Sequence, residues 1–125
     1  MIDHAGVHVS DYEKSRAYYT KALAPIGYAL IADFAQYKAA GFGEAGKPDF
    51  WISGDGSEQD NHVAFAAKDK AAVDAYYKAA IAAGGTDNGA PGYRKDYSPG
   101  YYAAFVKDLD GHNIEVVFHD PNPVS

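Results

Sequence analysis

Apolar and polar side chains alternate with a period of two over residues 2–9, which predicts a strand whose two faces differ. After this strand the apolar positions change to a helical period. Ser10 and Glu13 have the spacing of a capping box, so the helix is expected to begin there. Pro25 and Gly27 are expected to end it. One stripe of the helix is predicted to be buried, namely Ser15, Tyr18, Tyr19, Ala22 and Leu23.

The first strand and helix are repeated later in the chain. Over residues 4–27, eight of 24 residues are identical to those 58 positions further on, without a gap. An internal duplication is the simplest explanation of such a match. The matched residues include His4 with His62, Asp11 with Asp69, and Tyr18-Tyr19 with Tyr76-Tyr77.

Further strands complete each repeat. In the first they are predicted at 28–33, 36–42 and 49–53, followed by a linker at 54–60 that has no apolar side chain. The second repeat is predicted to comprise a strand at 61–67, a helix at 69–83 with its stripe at Val73, Tyr76, Tyr77, Ala80 and Ile81, a long loop at 86–100, and strands at 101–107 and 113–119. The sequence therefore predicts an α+β domain of two similar βαβββ modules.

Composition and charge restrict the class of protein. At 125 residues the chain fits a single domain, 1–125, in which repeats at about 1–54 and 61–120 share one core. The net charge of −6 with no basic run argues against a nucleic-acid partner. No apolar run approaches the ~20 residues of a membrane span, and the first residues do not form a secretory leader. We therefore expect a cytoplasmic protein without a membrane partner.

Three polar residues stand on strands that should be largely buried. His4 and His62 hold the same place in the two repeats, and Glu115 lies in the middle of an apolar strand. Because there is no cysteine, a bound metal needs nitrogen and oxygen ligands, and two imidazoles with one carboxylate suit a divalent ion such as Zn, Ni, Mn or Fe. The alternative is structural: each histidine satisfies a local hydrogen bond and Glu115 pairs with a cation. Their repeat-related positions favour the metal.

The same residues resemble a known family. His4 and Asp11 before a Tyr-Tyr pair, the same order from His62, and the final run that ends at Glu115 look like the vicinal oxygen chelate superfamily. This superfamily includes glyoxalase I, fosfomycin-resistance transferases, extradiol dioxygenases and bleomycin-resistance proteins. The resemblance covers nearly the whole chain. Its most specific part is the Asp-Leu-Asp-Gly-His-Asn-Ile-Glu run at 108–115, which is similar to the last hairpin of the family.

The resemblance implies paired βαβββ modules that form a curved mixed sheet with a cleft, with the helices on the outer face. It also implies a metal on the concave face, a small-molecule substrate and, in our interpretation, a homodimer. His4, His62 and Glu115 match three ligand positions of the family. At the fourth position the chain differs from glyoxalase I, since aligning 49–53 with 113–117 places Trp51 where a second glutamate is expected.

Other residues are candidates for weaker roles. His8 and His119 share strand faces with His4 and Glu115, so each is a candidate acid or base beside the metal, or else a solvent-facing histidine. Of Tyr101 and Tyr102, alternation allows only one to face the cleft, where its phenol would act in catalysis or bind substrate. Arg94 would meet an anionic substrate at the cleft mouth, although a solvated loop cation is the alternative.

Two functions of different classes follow. The first is a metal-dependent, glyoxalase-like lyase or isomerase, with dioxygenase or thiol-transferase chemistry as variants, whose metal chelates two vicinal oxygens of a small substrate. The second is a metal-free protein that sequesters a ligand, as bleomycin-resistance proteins do. The net charge of −6 and Trp51 in the cleft suit a cationic aromatic ligand.

Overall fold

The computed structural model describes residues 2–54 and 61–123. Most of the predicted linker, 55–60, lies outside the described residues. The first module comprises β1 (Ala5–His8), α1 (Tyr12–Ala22), β2 (Ala29–Phe34), β3 (Ala39–Glu44) and β4 (Lys47–Ser53), with short 3₁₀ turns at Ala24–Ile26 and Ala35–Tyr37. The second comprises β5 (His62–Ala66), α2 (Lys70–Ala82), β6 (Thr86–Tyr93), β7 (Tyr101–Lys107) and β8 (Asn113–His119).

Each module forms its own four-stranded mixed sheet. The strand orders are β1-β4-β3-β2 and β5-β8-β7-β6, with the same pairing directions in both. The first strand of each module runs parallel to the last, and the other pairs are antiparallel. The predicted α+β fold of two βαβββ modules is confirmed.

One predicted loop is partly a strand. Residues 86–100 were expected to be irregular, yet Thr86–Tyr93 pairs with β7 as an edge strand. The register shifts on both sides of Gly89, whose φ of 149° is accessible to glycine. Gly, Asn and Pro are poor strand formers, so the pairing here depends on β7 rather than on local propensity.

The helix starts are set by aspartate. Asp11 caps α1 by accepting a hydrogen bond from the Lys14 amide at 3.1 Å, and Asp69 caps α2 in the same way. The expected cap at Ser10 is therefore wrong by one residue. The Ser10 amide donates a hydrogen bond to the Asp110 carboxylate at 2.9 Å.

The helices cover one face of the sheets, and this face forms the core. The stripe predicted for α1 is fully buried. In α2 the stripe is buried at Val73, Tyr76 and Ala80, whereas Tyr77 is half-buried and Ile81 is 36% exposed. None of the helices in the described parts of the chain is long and apolar enough to span a bilayer. The largest fully buried side chains on the strands are Val7, Phe42, Phe50, Ile52, Val106 and Ile114.

The turn between β7 and β8 ties the two modules together. His112 is 2% exposed, and its Nδ1 accepts a hydrogen bond from the Asn61 amide at 3.0 Å. Since an amide N–H can only donate, the ring hydrogen lies on Nε2, which donates to the His8 carbonyl at 2.6 Å. A single imidazole thus connects the start of β5 to the end of β1.

Candidate functional site

The face of each sheet opposite the helices is termed the open face. Strand alternation places the core side chains on one side, so the residues between them point to the open face. In the second module this face carries His62, Phe105 and Glu115, because Glu115 pairs directly with Phe105 of β7 and Ala64 of β5.

Glu115 is a buried carboxylate with two polar neighbours. Its side chain is 3% exposed, and Oε1 lies 3.2 Å from Nε2 of His62. The Tyr101 hydroxyl donates a hydrogen bond to Oε2. Burial, and then this hydrogen bond, raises the pKa of Tyr101 to about 12, so its phenol remains a donor at neutral pH. The carboxylate is therefore held in a fixed orientation.

The hydrogen bond of His62 Nδ1 determines the protonation of its ring, and so what can lie between Nε2 and Glu115. Nδ1 of His62 is 2.9 Å from the Asn113 carbonyl oxygen, which can only accept, so Nδ1 carries a hydrogen. Nε2 then presents a lone pair to a carboxylate oxygen unless a proton or a cation lies between them. Metal-binding histidines commonly donate their second N–H to a backbone carbonyl in this way.

The pair fits a divalent metal in its chemistry and spacing. Two ligands that bind one ion at about 2.1 Å from adjacent positions are separated by roughly 3.0–3.4 Å. The 3.2 Å separation of His62 and Glu115 agrees with this. Within residues 2–54 and 61–123, however, no three histidine, aspartate or glutamate side chains come together. Two of the predicted ligands meet, and the third does not join them.

His4 lies near His62 but makes a different contact. Its side chain is 63% exposed, and Nδ1 is 2.8 Å from the Asp3 carboxylate. His4 and His62 line the same cavity of about 370 Å³, together with Tyr28 and Phe65. The structure thus brings the two repeat-related histidines to one opening between the modules.

Trp51 forms an aromatic surface on the open face of the first module. It pairs with Gly6 of β1 and with Gly41 of β3. The ring stacks on Phe34 with an interplanar angle of 9° and centroids 6.4 Å apart. A Cβ at Gly41 would lie 2.9 Å from the Trp51 ring, so the indole rests on this glycine.

The remaining candidates differ in placement. His8 is half-buried on the open face of β1, and His119 lies beside Tyr101, with ring centroids 5.3 Å apart. Tyr102 faces the helices, where its hydroxyl donates a hydrogen bond to Asp74 of α2. Of the two tyrosines, only Tyr101 therefore contacts Glu115. Arg94 lies directly after β6, and its guanidinium covers Phe105 at 5.3 Å from the ring centre.

Two open-face residues were absent from the sequence-based candidates. Phe34 ends β2 and Phe105 lies in β7, and both appear in the sequence as ordinary core aromatics. The signal that would have found Phe105 is its pairing with Glu115 in a hairpin whose two strands, at 101–107 and 113–119, were correctly predicted. For Phe34 no such signal exists, because the pairing of β2 with β3 contains an irregular register.

Comparison with known proteins agrees with the fold. Residues 1–116 match the model of the Glyoxalase/Bleomycin resistance protein/Dioxygenase superfamily. A glyoxalase/bleomycin resistance protein from Albidiferax ferrireducens T118 is 26% identical with a TM-score of 0.77, and the match covers 94% of this chain and 97% of that one. Among curated proteins, none matches this sequence.

More distant solved structures share the fold. A lactoylglutathione lyase from Agrobacterium tumefaciens is 17% identical with a TM-score of 0.68, covering 94% of this chain and 92% of that one. A glyoxalase I mutant from Zea mays is 24% identical with a TM-score of 0.69, covering 93% of this chain and 46% of that one. With two βαβββ modules and a family match over residues 1–116, the chain belongs to the glyoxalase/bleomycin resistance protein/dioxygenase superfamily.

Proposed function

We propose that the protein is a metal-dependent enzyme that acts on a small molecule with two neighbouring oxygen atoms. The observation that carries the proposal is the placement of His62 Nε2 at 3.2 Å from a carboxylate oxygen of Glu115, with Nδ1 donating to a backbone carbonyl. Without a proton on Nε2, this arrangement leaves the imidazole lone pair and a carboxylate oxygen facing one point on the open face. Members of the superfamily often use a divalent metal and bind small molecules.

His62 and Glu115 would hold the ion, which would be Zn, Ni, Mn or Fe, and His4 is the proposed third ligand. A bound ion would act as a Lewis acid that polarises the substrate oxygens. Tyr101 holds the carboxylate in place through its hydrogen bond. His119, beside Tyr101, and His8 are the proposed proton carriers, since imidazole exchanges protons near neutral pH.

The proposed reaction class is a glyoxalase-like lyase or isomerase step, in which a proton moves between adjacent carbons of the substrate. The likeness to lactoylglutathione lyase and glyoxalase I in fold supports this class. Trp51 stands where a second carboxylate is expected in glyoxalase I, so the proton carrier must be another residue. Dioxygenase and thiol-transferase reactions are the variants within the proposal.

Metal content tests the proposal directly. Protein purified without chelator and reloaded with Mn, Ni, Zn or Fe should retain about one equivalent of at least one of these metals after desalting. His62→Ala and Glu115→Gln should each weaken retention by at least about tenfold, because each removes a ligand. Glu44→Gln is the control, since Glu44 is an exposed carboxylate at the end of β3. Equal retention by all four proteins would overturn the proposal.

A metal-free binding protein is the second candidate, and the Trp51–Phe34 stack favours it. A parallel aromatic pair with Phe34 49% exposed is suited to bind a planar or cationic ring. In calorimetric titration, a planar aromatic cation should bind wild type and lose affinity in Trp51→Ala, with no change on adding EDTA. Binding that requires a metal, or that is unaffected by Trp51→Ala, would exclude this candidate.

A homodimer is also proposed. His4 is exposed beside a cavity that opens between the modules, so a second copy would be able to supply or redirect a ligand. Light scattering at several protein concentrations tests the oligomeric state, and a monomer at all of them would refute it.

A further inference from the structure

The guanidinium of Arg94 occupies a fixed position on the open face of the second module. Nη1 donates to the Gly92 carbonyl at 2.9 Å and Nη2 to the Ala90 carbonyl at 2.8 Å. The planar group lies over the Phe105 ring, 5.3 Å from its centre. Two backbone acceptors and one aromatic surface thus hold a cation in one orientation.

Most of the donors of this cation remain available. A guanidinium has five N–H groups, and two of them are used by the carbonyls of Ala90 and Gly92. In the described ranges, residues 2–54 and 61–123, no carboxylate forms an ion pair with Arg94. A half-buried, oriented cation with three open donors and no counter-ion suits an oxyanion ligand.

Glycines make room for the guanidinium. A Cβ at Gly89 would lie 3.0 Å from Nη2, and a Cβ at Gly92 would lie 3.2 Å from Nη1. Gly89 also sits at the register shift of β6, where the strand bends. Gly89 therefore permits both the bend in β6 and the close approach of the Arg94 guanidinium.

The cation is aligned with the proposed metal ligand. Ala64, Glu115, Phe105 and Gly89 form one cross-strand row over β5, β8, β7 and β6, and the guanidinium lies above the Phe105 end of it. Neighbouring strands are about 4.8 Å apart, so the backbones of Glu115 and Gly89 are separated by about 10 Å, and Phe105 lies between them.

We propose that Arg94 is the binding site for an oxyanion group, a carboxylate or a phosphate, of the substrate. The substrate class is then a small anionic molecule whose charged end binds Arg94, whose middle packs on Phe105, and whose chelating oxygens reach the His62–Glu115 pair. The last of these three contacts rests on the proposed function, whereas the anion site stands without it.

A titration of the full ¹⁵N-labelled chain in the presence of EDTA tests the anion site apart from the metal site. Sodium phosphate and sodium acetate are added separately, with sodium chloride at matched ionic strength as reference. The Arg94 Nε–Hε signal and the amide signals of residues 89, 90 and 92–94 should shift to saturation with phosphate, acetate or both, and not with chloride. The anion that saturates first identifies the class of the charged group.

Variants show whether the response belongs to this side chain. Arg94→Gln should weaken the response by at least about tenfold, whereas Lys95→Gln, which removes an adjacent exposed charge, should leave it unchanged. Arg94→Lys should retain phosphate binding better than acetate binding, because it keeps the charge and loses the planar fork.

The proposal is overturned if the wild-type Arg94 Nε–Hε signal fails to saturate with either anion, or if Arg94→Gln responds as wild type does. Should Arg94→Gln lose the signal dispersion of β6, the wild-type titration alone decides, because the observed group is the guanidinium itself. Failure of metal retention, with anion binding intact, would refute the metal proposal and leave the anion site standing.

Discussion

Trp51 and Glu115 occupy equivalent positions in the two modules. Trp51 of β4 pairs with Gly6 of β1, and Glu115 of β8 pairs with Ala64 of β5. The two residues also share the face opposite the helices. The duplication has therefore diverged at one position into an aromatic surface in the first module and a buried carboxylate in the second.

The contact between the Trp51 indole and Gly41 gives the first prediction. Gly41→Ala would place a Cβ 2.9 Å from both the Trp51 ring and Pro48, so the ring must move. We expect a loss of about 1–3 kcal/mol in the free energy of unfolding, measured by urea denaturation. Gly6→Ala is the matched control on the other side of Trp51, with a nearest contact of 3.3 Å, and should cost clearly less. A larger loss of stability in Gly6→Ala than in Gly41→Ala would show that the indole does not pack on Gly41.

The helix caps give the second prediction. Asp11→Ala removes the acceptor for the Lys14 amide and should lower stability by about 1 kcal/mol. Ser10→Ala should change it by less than about 0.5 kcal/mol, because the Ser10 contact seen here uses the backbone amide. Thermal and urea denaturation of both variants measures the difference. If Ser10→Ala proves the more costly change, the cap has been misassigned.

His112 gives the third prediction. His112→Ala removes a side chain that is 2% exposed and leaves the Asn61 amide and the His8 carbonyl without their partner. We expect a loss of about 2–4 kcal/mol in unfolding free energy. His4→Ala, at a 63% exposed histidine, should be close to neutral in the absence of metal. Similar losses in the two variants would argue against His112 as the link between modules.

Tyr101 gives the fourth prediction. Tyr101→Phe leaves Oε2 of the buried Glu115 without its phenol donor and should cost about 1–3 kcal/mol near neutral pH. Tyr97→Phe is the control, because Tyr97 is 65% exposed and contacts Tyr101 only through its ring.

The pH dependence of the same variant follows from the pKa of Tyr101. Folding raises this pKa from 10.0 to about 12, so the contribution of the neutral phenol is complete below pH 10 and is lost as pH rises towards 12. Stability of Tyr101→Phe should therefore decline less steeply than wild type over this interval. Parallel declines would mean that the phenol is no better stabilised in the folded state than in the unfolded chain.

Much of the fold was accessible from the sequence because it is repeated. The matched histidines, aspartates and tyrosine pairs identified the two modules. A separate alignment of the last strands, 49–53 with 113–117, placed Trp51 opposite Glu115, and the strand pairing agrees with it. The helical stripe of α1 was correct in full, since its period of 3.6 residues is a local property.

Features that depend on distant contacts were missed. The edge strand β6 forms from residues with low strand propensity because β7 offers it hydrogen bonds. The cap lies at Asp11 rather than Ser10, and the Ser10 amide binds Asp110, a hundred residues away. At the candidate site the sequence indicated which residues could take part in chemistry. It did not indicate that Tyr101 donates a hydrogen bond to Glu115 or that His4 contacts Asp3, because both depend on the folded structure.

The position of Trp51 also has a practical consequence. It is the single tryptophan among 125 residues, so the intrinsic fluorescence excited at the red edge of protein absorption comes from the open face alone. Its stacked partner Phe34 and its contact with Gly41 make the emission sensitive to any ring that enters beside it. The protein therefore carries a built-in optical reporter of occupancy, and compounds can be screened against the unlabelled, unmodified chain.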